Sequence, residues 1–270
     1  MIIVDGVAQA MIQADDRGLS YGDGVFRTLL LRGGRPANWQ RHYTKLAADC
    51  ACLGINCPEI SVFEQDLAQI PVTETACVVK IIVTRGISQR GYAPFSALTP
   101  ARIVLASALP APAPDCLSVG VRVRICSLRL ARQPRLAGVK HLNRLEQVLA
   151  RSEWQAPDIA EGLLLDEGEH VIGGTMSNLF IIRNQQLYTA DLSHSGIAGV
   201  TRDRIMRLAA NLGLIVKVTQ LNLADLFAAE EVMLCNSVIG VWQVRELDQK
   251  QWQSGRFTPL FRALLEANDD

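Results

Sequence analysis

The 270-residue sequence predicts an α/β (α+β) protein of two domains. Short apolar runs rich in valine, isoleucine and leucine alternate with longer segments whose apolar residues recur at helical spacing. Residues 109–114 (LPAPAP) carry three alternating prolines, which is typical of a stiff, extended connector. We therefore predict a small N-terminal domain over residues 1–109, a proline-rich linker over 110–114 and a larger C-terminal domain over 115–270.

The first domain is predicted to contain two helices. Asn38 is the predicted N-cap of a helix that continues through Ala51, because asparagine accepts hydrogen bonds from free N–H groups at helix starts. A second helix is predicted over 61–70, where Pro71 ends it. The predicted strands are a short one within 1–6, followed by 25–31, 77–84 and 103–108.

The second domain is predicted to be richer in strands. Gly213 follows the predicted helix 201–212 at the position where glycine commonly ends a helix. The other predicted helices are 142–154, 223–227 and 257–267. The predicted strands are 118–127, 161–165, 171–172, 178–182, 186–189, 215–219 and 231–234.

The composition is that of a soluble globular protein, with 49% hydrophobic and 20% charged residues. The 27 basic and 27 acidic residues balance, so no nucleic-acid or acidic-membrane partner is expected. The sequence shows no signal peptide and no membrane-spanning apolar run, which indicates a cytoplasmic protein. The seven cysteines form no Cys-x-x-Cys pair, and neither a disulfide framework nor a metal site is expected.

Lys140 is the main candidate for chemistry. It is one of only five lysines, and it lies just after Gly138, between a β-rich run and a helical run. A desolvated lysine amine loses its proton readily and acts as a nucleophile or base. It can also hold a carbonyl cofactor as a Schiff base. An exposed lysine in a basic loop is the alternative interpretation, and this segment alone leaves both open.

Four other segments could bind an anion, although each also has an ordinary structural explanation. Gly196–Arg202 opens a helix, where free N–H groups and glycines suit a phosphate. Cys235–Ser237 is a polar turn after an apolar strand. Arg41 and Lys45 share one helix face. Two arginines and a tyrosine in Arg85–Tyr92 (RGISQRGY) suit the recognition of a carboxylate.

The order of these segments resembles the fold-type IV pyridoxal-phosphate enzymes, which include branched-chain aminotransferases, D-amino-acid aminotransferases and aminodeoxychorismate lyases. The resemblance extends over residues 5–237. Leu136–Gln147 (LAGVKHLNRLEQ) and the two Arg-Gly pairs of residues 85–92 are most similar to the lyases. Tyr21–Phe26 (YGDGVF) is shared across the family. The length also suits the lyases, because branched-chain aminotransferases are usually longer.

The resemblance implies a D-amino-acid-aminotransferase-like fold, a homodimer, and pyridoxal 5′-phosphate (PLP) in the cleft between the domains. Lys140 would form the Schiff base. Lys45 would take the place of the family's phosphate-binding arginine, with the charge but without the two-pronged geometry. Arg90 and Tyr92 would lie on the substrate side. The implied cofactor-binding residues are Lys45, Lys140, Gly199, Val200, Thr201, Asn236 and Ser237.

The chain departs from the family pattern at Gly173. The family has a glutamate there, in a pattern like Val-x-Glu-x-x-x-Ser-Asn-Leu-Phe, whereas residues 171–180 of this chain are VIGGTMSNLF. A carboxylate at that position keeps the pyridine nitrogen protonated and makes the ring an electron sink. Its loss is expected to weaken carbanion chemistry, on which transamination depends heavily. The sequence leaves open whether a nearby carboxylate substitutes, the candidates being Glu161, Asp166, Glu167 and Glu169.

The activity implied by the resemblance is the conversion of 4-amino-4-deoxychorismate to 4-aminobenzoate and pyruvate, a step of folate biosynthesis. In this interpretation Lys140 removes the proton from the ring carbon that bears nitrogen. Two alternatives are kept. One is a D-amino-acid or branched-chain aminotransferase of the same fold. The other is a catalytically impaired homologue, which the changes at Lys45 and Gly173 favour.

Overall fold

The computed structural model describes residues 1–73, 75–94, 98–110 and 115–268, which form two units. Unit 1 contains residues 1–110 and 139–143, and unit 2 contains 115–138 and 144–268. Residues 111–114 of the predicted linker lie outside the described residues. The sequence predicted that residues 139–143 belong to the second domain, whereas in the structure this short segment packs with unit 1.

Unit 1 is built on a six-stranded antiparallel sheet, with strand order β2-β1-β6-β5-β3-β4. One face of the central strands packs on the helices, through buried residues such as Leu29, Leu46 and Phe63. The elements are β1 (Ile2–Val4), β2 (Val7–Ala8), α1 (Arg17–Tyr21), β3 (Gly24–Arg32), β4 (Arg35–Pro36), α2 (Trp39–Leu53), α3 (Ile60–Ala68), β5 (Cys77–Thr84) and β6 (Ala101–Ala108).

Unit 2 is built on a nine-stranded mixed sheet, with strand order β12-β11-β10-β13-β14-β7-β8-β9 and β15 paired to β14. The elements are β7 (Val121–Leu130), α4 (Leu145–Arg151), β8 (Ile159–Asp166), β9 (Val171–Gly174), β10 (Asn178–Arg183), β11 (Gln186–Ala190), α5 (Val200–Leu208), β12 (Ile215–Thr219), α6 (Leu223–Phe227), β13 (Glu231–Asn236), β14 (Gly240–Leu247), β15 (Lys250–Gln251) and α7 (Phe257–Ala267). Parallel pairs join β11 to β12, β14 to β7 and β7 to β8.

The mixed α/β fold predicted from the sequence is confirmed, and several elements have the predicted bounds. Strands 77–84 and 215–219 and helices 223–227 and 257–267 are as predicted. The predicted helix 201–212 is α5 followed by one 3₁₀ turn over Ala209–Leu212. Helix α1 and strand β14 were not predicted. No helix in the described part of the chain is long and apolar enough to cross a membrane.

Two predicted helix starts are corrected by the structure. The helix predicted over 142–154 begins only at Leu145, because the chain before it is held against β3, where His141 bridges to Val25. Asn38 does precede α2 as predicted. However, its backbone is left-handed, with φ of 53°, and its side chain makes no capping hydrogen bond. The helix start is therefore not stabilised in the way that the residue type suggested.

Candidate active site

Lys140 lies on an extended segment that adds to the edge of β3. The backbone N–H of Phe26 donates to the Lys140 carbonyl at 2.9 Å, and the N–H of Leu142 donates to the Gly24 carbonyl at 2.9 Å. The amide of Asn143 also donates to the Gly22 carbonyl at 3.1 Å. Strand-like pairing on both sides of Lys140 thus fixes its backbone within unit 1.

Asp49 of α2 also holds the backbone of Lys140. Its carboxylate accepts the backbone N–H of Lys140 at 3.1 Å and forms a buried ion pair with Arg27. Burial raises the pKa of Asp49, and the Arg27 guanidinium and the Lys140 N–H oppose that rise. Asp49 is thus a positioning residue that the sequence did not reveal, because nothing local links it to a residue 91 positions later.

The Lys140 ammonium lies against an aromatic ring. Its Nζ atom is 4.6 Å from the centroid of Phe26, a distance at which the ring face attracts a cation. Lys45 lies one helical turn before Asp49, and its charge is among those that lower the pKa of that carboxyl. The structure therefore places the two predicted lysines around one buried carboxylate.

The start of α5, in unit 2, is held by Asn178, the first residue of β10. The Asn178 Oδ1 atom accepts the N–H of Gly199 at 3.2 Å, and its amide donates to the Ile197 carbonyl at 2.8 Å. Gly199 precedes the helix without any side-chain cap. A Cβ atom on Gly199 would lie 2.4 Å from Asn178 Oδ1, so this close approach requires glycine.

Two hydroxyls meet beside this helix start. Thr201 Oγ1 of α5 lies 3.2 Å from Ser237 Oγ, just after β13. Asn236 orients the turn, because its Oδ1 accepts the N–H groups of Val238 and Ile239 at 2.8 and 2.9 Å. A nine-residue helix without a side-chain cap, next to two hydroxyls, is chemically suited to bind a phosphate. The residues present therefore fit the phosphate of PLP.

Glu161 does not take the place of the missing glutamate. Its buried carboxylate accepts the N–H of Thr175 at 3.1 Å, the Thr175 hydroxyl at 2.5 Å and the Ser177 hydroxyl at 2.8 Å. Residues 163 and 164 of β8 pair with 174 and 173 of β9. Because side chains alternate along a strand, Glu161 shares the face of Gly174, opposite to that of Gly173. It organises the turn after β9.

Gly173 itself has no room for a side chain. A Cβ atom there would lie 2.8 Å from the backbone carbonyl oxygen of Ser177, which is bonded to the Gly174 N–H at 2.8 Å. Two of the other three nearby carboxylates are engaged elsewhere, and the third, Glu167, is exposed in the turn after β8. Asp166 accepts backbone N–H groups of the hairpin turn that follows it, and Glu169 forms an ion pair with Arg129. The contacts described for Glu161, Asp166 and Glu169 therefore identify none of these carboxylates as the partner of a pyridine nitrogen.

Arg90 and Tyr92 lie on an exposed loop of unit 1. The Tyr92 side chain is 87% exposed and its ring packs on Tyr21, with centroids 5.5 Å apart. Arg17 pins this loop, because its guanidinium donates to the carbonyl oxygens of Gly91 and Tyr92, each at 2.9 Å. The assignment of Arg90 and Tyr92 to the substrate side stays a prediction.

Unit 1 thus presents an anchored lysine, and unit 2 presents a helix start that is chemically suited to a phosphate; both are features expected of a PLP-binding enzyme. Known proteins agree with this description. The model of the class IV amino-transferase family matches residues 24–247, and the chain belongs to this family. The family is PLP-dependent, so the predicted cofactor is confirmed at the level of the family.

Two of the most similar proteins are lyases. The crystal structure of 4-amino-4-deoxychorismate lyase from Pseudomonas aeruginosa superimposes with a TM-score of 0.93 at 41% identity, over 99% of each chain. Aminodeoxychorismate lyase from Vibrio harveyi is 34% identical over 241 residues, 89% of either protein. A putative branched-chain-amino-acid aminotransferase from Methanocaldococcus jannaschii is 30% identical over 97% of this chain and 91% of its own length.

Proposed function

We propose that this protein is a PLP-dependent lyase that converts 4-amino-4-deoxychorismate to 4-aminobenzoate and pyruvate. The observation that carries the proposal is its likeness, over nearly the whole chain, to a lyase structure at 41% identity. The aminotransferase relative is less similar, at 30%. The anchored Lys140 and the phosphate-suited start of α5 support the same conclusion.

We propose that one PLP molecule is linked to Lys140 and has its phosphate at Gly199, Val200 and Thr201. Asn236 and Ser237 would complete the phosphate site, and Lys45 would add positive charge. When bound, PLP supplies an electron sink next to the substrate nitrogen. A homodimer and a cytoplasmic location are part of the same proposal.

Lys140 would move the protons of the reaction. Its Nζ atom would take the proton from the ring carbon that bears the amino group, while the C–O bond to the enolpyruvyl group breaks and the ring becomes aromatic. The protonated Nζ would then give a proton to the methylene carbon of enolpyruvate, which becomes pyruvate. Asp49 would keep the Lys140 backbone in place throughout, because it holds the Lys140 N–H.

Gly173 bears on the choice between lyase and aminotransferase. Without a carboxylate at this position the electron sink is weaker, and transamination suffers most. Formation of an aromatic ring supplies driving force that only the lyase reaction has. An aminotransferase is the second candidate, and the 30% identity to the archaeal relative is the observation in its favour.

The deciding experiment incubates the purified protein and PLP with 4-amino-4-deoxychorismate and follows the fluorescence of 4-aminobenzoate. We expect turnover without any 2-oxoacid, and its loss in Lys140→Ala. Lys217→Ala, at an exposed lysine of β12, is the matched control and should keep full activity. Amino transfer to a 2-oxoacid without 4-aminobenzoate would instead establish an aminotransferase. Neither activity, with PLP still bound, would indicate an impaired homologue.

A further inference from the structure

Lys80 and Lys140 contact the same aromatic ring. Lys80 lies in the middle of β5, opposite Thr28 of β3. Its Nζ atom is 4.5 Å from the centroid of Phe26, and that of Lys140 is 4.6 Å from the same centroid. Two ammonium groups, one of them the proposed base, therefore lie on one side chain within unit 1.

Lys80 differs from four buried or half-buried arginines of unit 1. Arg17, Arg27, Arg85 and Arg102 each form an ion pair with an aspartate. For Lys80, the ring of Phe26 is the only partner found among the residues that the structure describes. Burial lowers the pKa of Lys80, and no charge in the described part of the chain opposes that shift. A half-buried cation without a counter-ion loses hydration that no protein group replaces.

Lys80 lies on one face of the sheet, mostly among apolar side chains. Side chains alternate along β3 and β5, so Phe26, Thr28, Lys80 and Ile82 share the sheet face opposite the helix-covered core. All four are half-buried. An apolar face with one unpaired ammonium is suited to a planar ring that carries a carboxylate.

We propose that Lys80 binds a carboxylate of the substrate and thereby orients its ring at Lys140. This inference rests on the proposed lyase function, because 4-amino-4-deoxychorismate carries two carboxylates on and beside a six-membered ring. One of them would supply the counter-ion that Lys80 lacks. Lys80 is therefore a substrate-specificity residue, and it does not itself exchange protons in the reaction.

The test compares Lys80→Met and Lys80→Arg with the wild-type holoenzyme. We expect kcat/KM for Lys80→Met to fall about 10- to 100-fold, mostly through KM, as for the loss of one charge-assisted hydrogen bond. Lys80→Arg should recover part of this loss, because it restores the charge. Lys217→Met removes the same charge from an exposed site and should change nothing.

Two readouts do not depend on turnover. The thermal unfolding midpoint of Lys80→Met should equal or exceed that of the wild type, because an unpaired charge leaves the half-buried face. The visible absorbance of the lysine-bound cofactor should not change. Inhibition by 4-aminobenzoate or by pyruvate identifies the carboxylate, since each product retains only one. The inhibition constant of the product that Lys80 binds should rise about 10-fold or more in Lys80→Met.

The outcomes separate the two proposals. Wild-type turnover with an unchanged KM and unchanged product inhibition in Lys80→Met would overturn the role of Lys80 and leave the lyase function standing. A lowered unfolding midpoint together with loss of PLP would show a structural role and overturn it as well. If the wild-type protein forms no 4-aminobenzoate, both proposals fall.

Discussion

The region around Lys140 and the region around the start of α5 are held in opposite ways. Lys140 is fixed through its backbone by strand pairing and by Asp49, a buried charge paired with Arg27. The helix start is fixed by the neutral side chain of Asn178, whose hydrogen bonds go to backbone groups. The proposed base is therefore positioned through its backbone by a buried ion pair, and the proposed phosphate site is shaped by an uncharged amide.

Asp49→Ala should have the largest effect, because it leaves Arg27 buried without its counter-ion. Breaking a buried ion pair costs about 3–5 kcal/mol in the free energy of unfolding, measurable by chemical denaturation. Activity should fall too, because the Lys140 N–H loses its acceptor.

A matched control and a double variant sharpen this prediction. Asp158→Ala removes an exposed ion pair with Arg122 and should leave the denaturation midpoint unchanged. Arg27→Met combined with Asp49→Leu should recover much of the stability, because buried pairs are often replaceable by apolar residues. Its activity should stay low. Full activity in that variant would show that Asp49 does not position Lys140.

Gly173→Glu should destabilise the protein and should not improve turnover. The new Cβ atom would lie 2.8 Å from the Ser177 carbonyl oxygen, which cannot move without breaking its bond to the Gly174 N–H. Overpacking of this kind costs about 1–3 kcal/mol. Denaturation and the 4-aminobenzoate assay measure the two effects. A stable variant with faster turnover would show that the turn after β9 adapts to a side chain.

Asn178→Ala should lower the affinity for PLP by loosening the start of α5, and it should leave the segment around Lys140 unchanged. The loss of two neutral hydrogen bonds costs about 1 kcal/mol each, and equilibrium dialysis of PLP should show an affinity about tenfold lower. Asn222→Ala, which removes the side chain that caps α6 by accepting the Asp225 N–H at 2.9 Å, makes the same substitution at another helix start and is a control for stability alone. Equal PLP affinity in Asn178→Ala and wild type would contradict the role given to Asn178.

The smallest effect is expected from Asp23→Asn, and it should depend on pH. Burial alone would raise the pKa of Asp23, but Arg85 and Arg17 hold it below its ordinary value of 3.8. The ionised form therefore stabilises the fold above about pH 4, and this contribution is lost as the pH falls through the lowered pKa.

Chemical denaturation of Asp23→Asn and wild type from pH 7 to pH 3 measures this effect. The difference should be on the order of 1 kcal/mol at neutral pH, reduced by solvent screening, and should shrink below pH 4. A difference that stays constant down to pH 3 would mean that the two arginines do not stabilise the charged carboxylate.

The candidate site was predictable where a residue type has a local meaning. Glycine before a helix predicted a helix start suited to a phosphate. The structure does begin α5 at Val200, with Thr201 beside Ser237, and phosphate binding there stays a proposal. Asp49 and Lys80 had no such signal. An aspartate and a lysine in the middle of a helix and a strand acquire a role only through the neighbours that the fold supplies.

The sequence by itself determined the fold class, the family and most strand positions, because these depend on local periodicity and on short motifs. Only the tertiary structure decided that the chain before α4 is held against β3, which shortens the predicted helix and positions Lys140. It also decided that Glu161 serves a turn and that Gly173 has no space for a side chain. These features depend on contacts between residues distant in sequence, which local propensity does not encode.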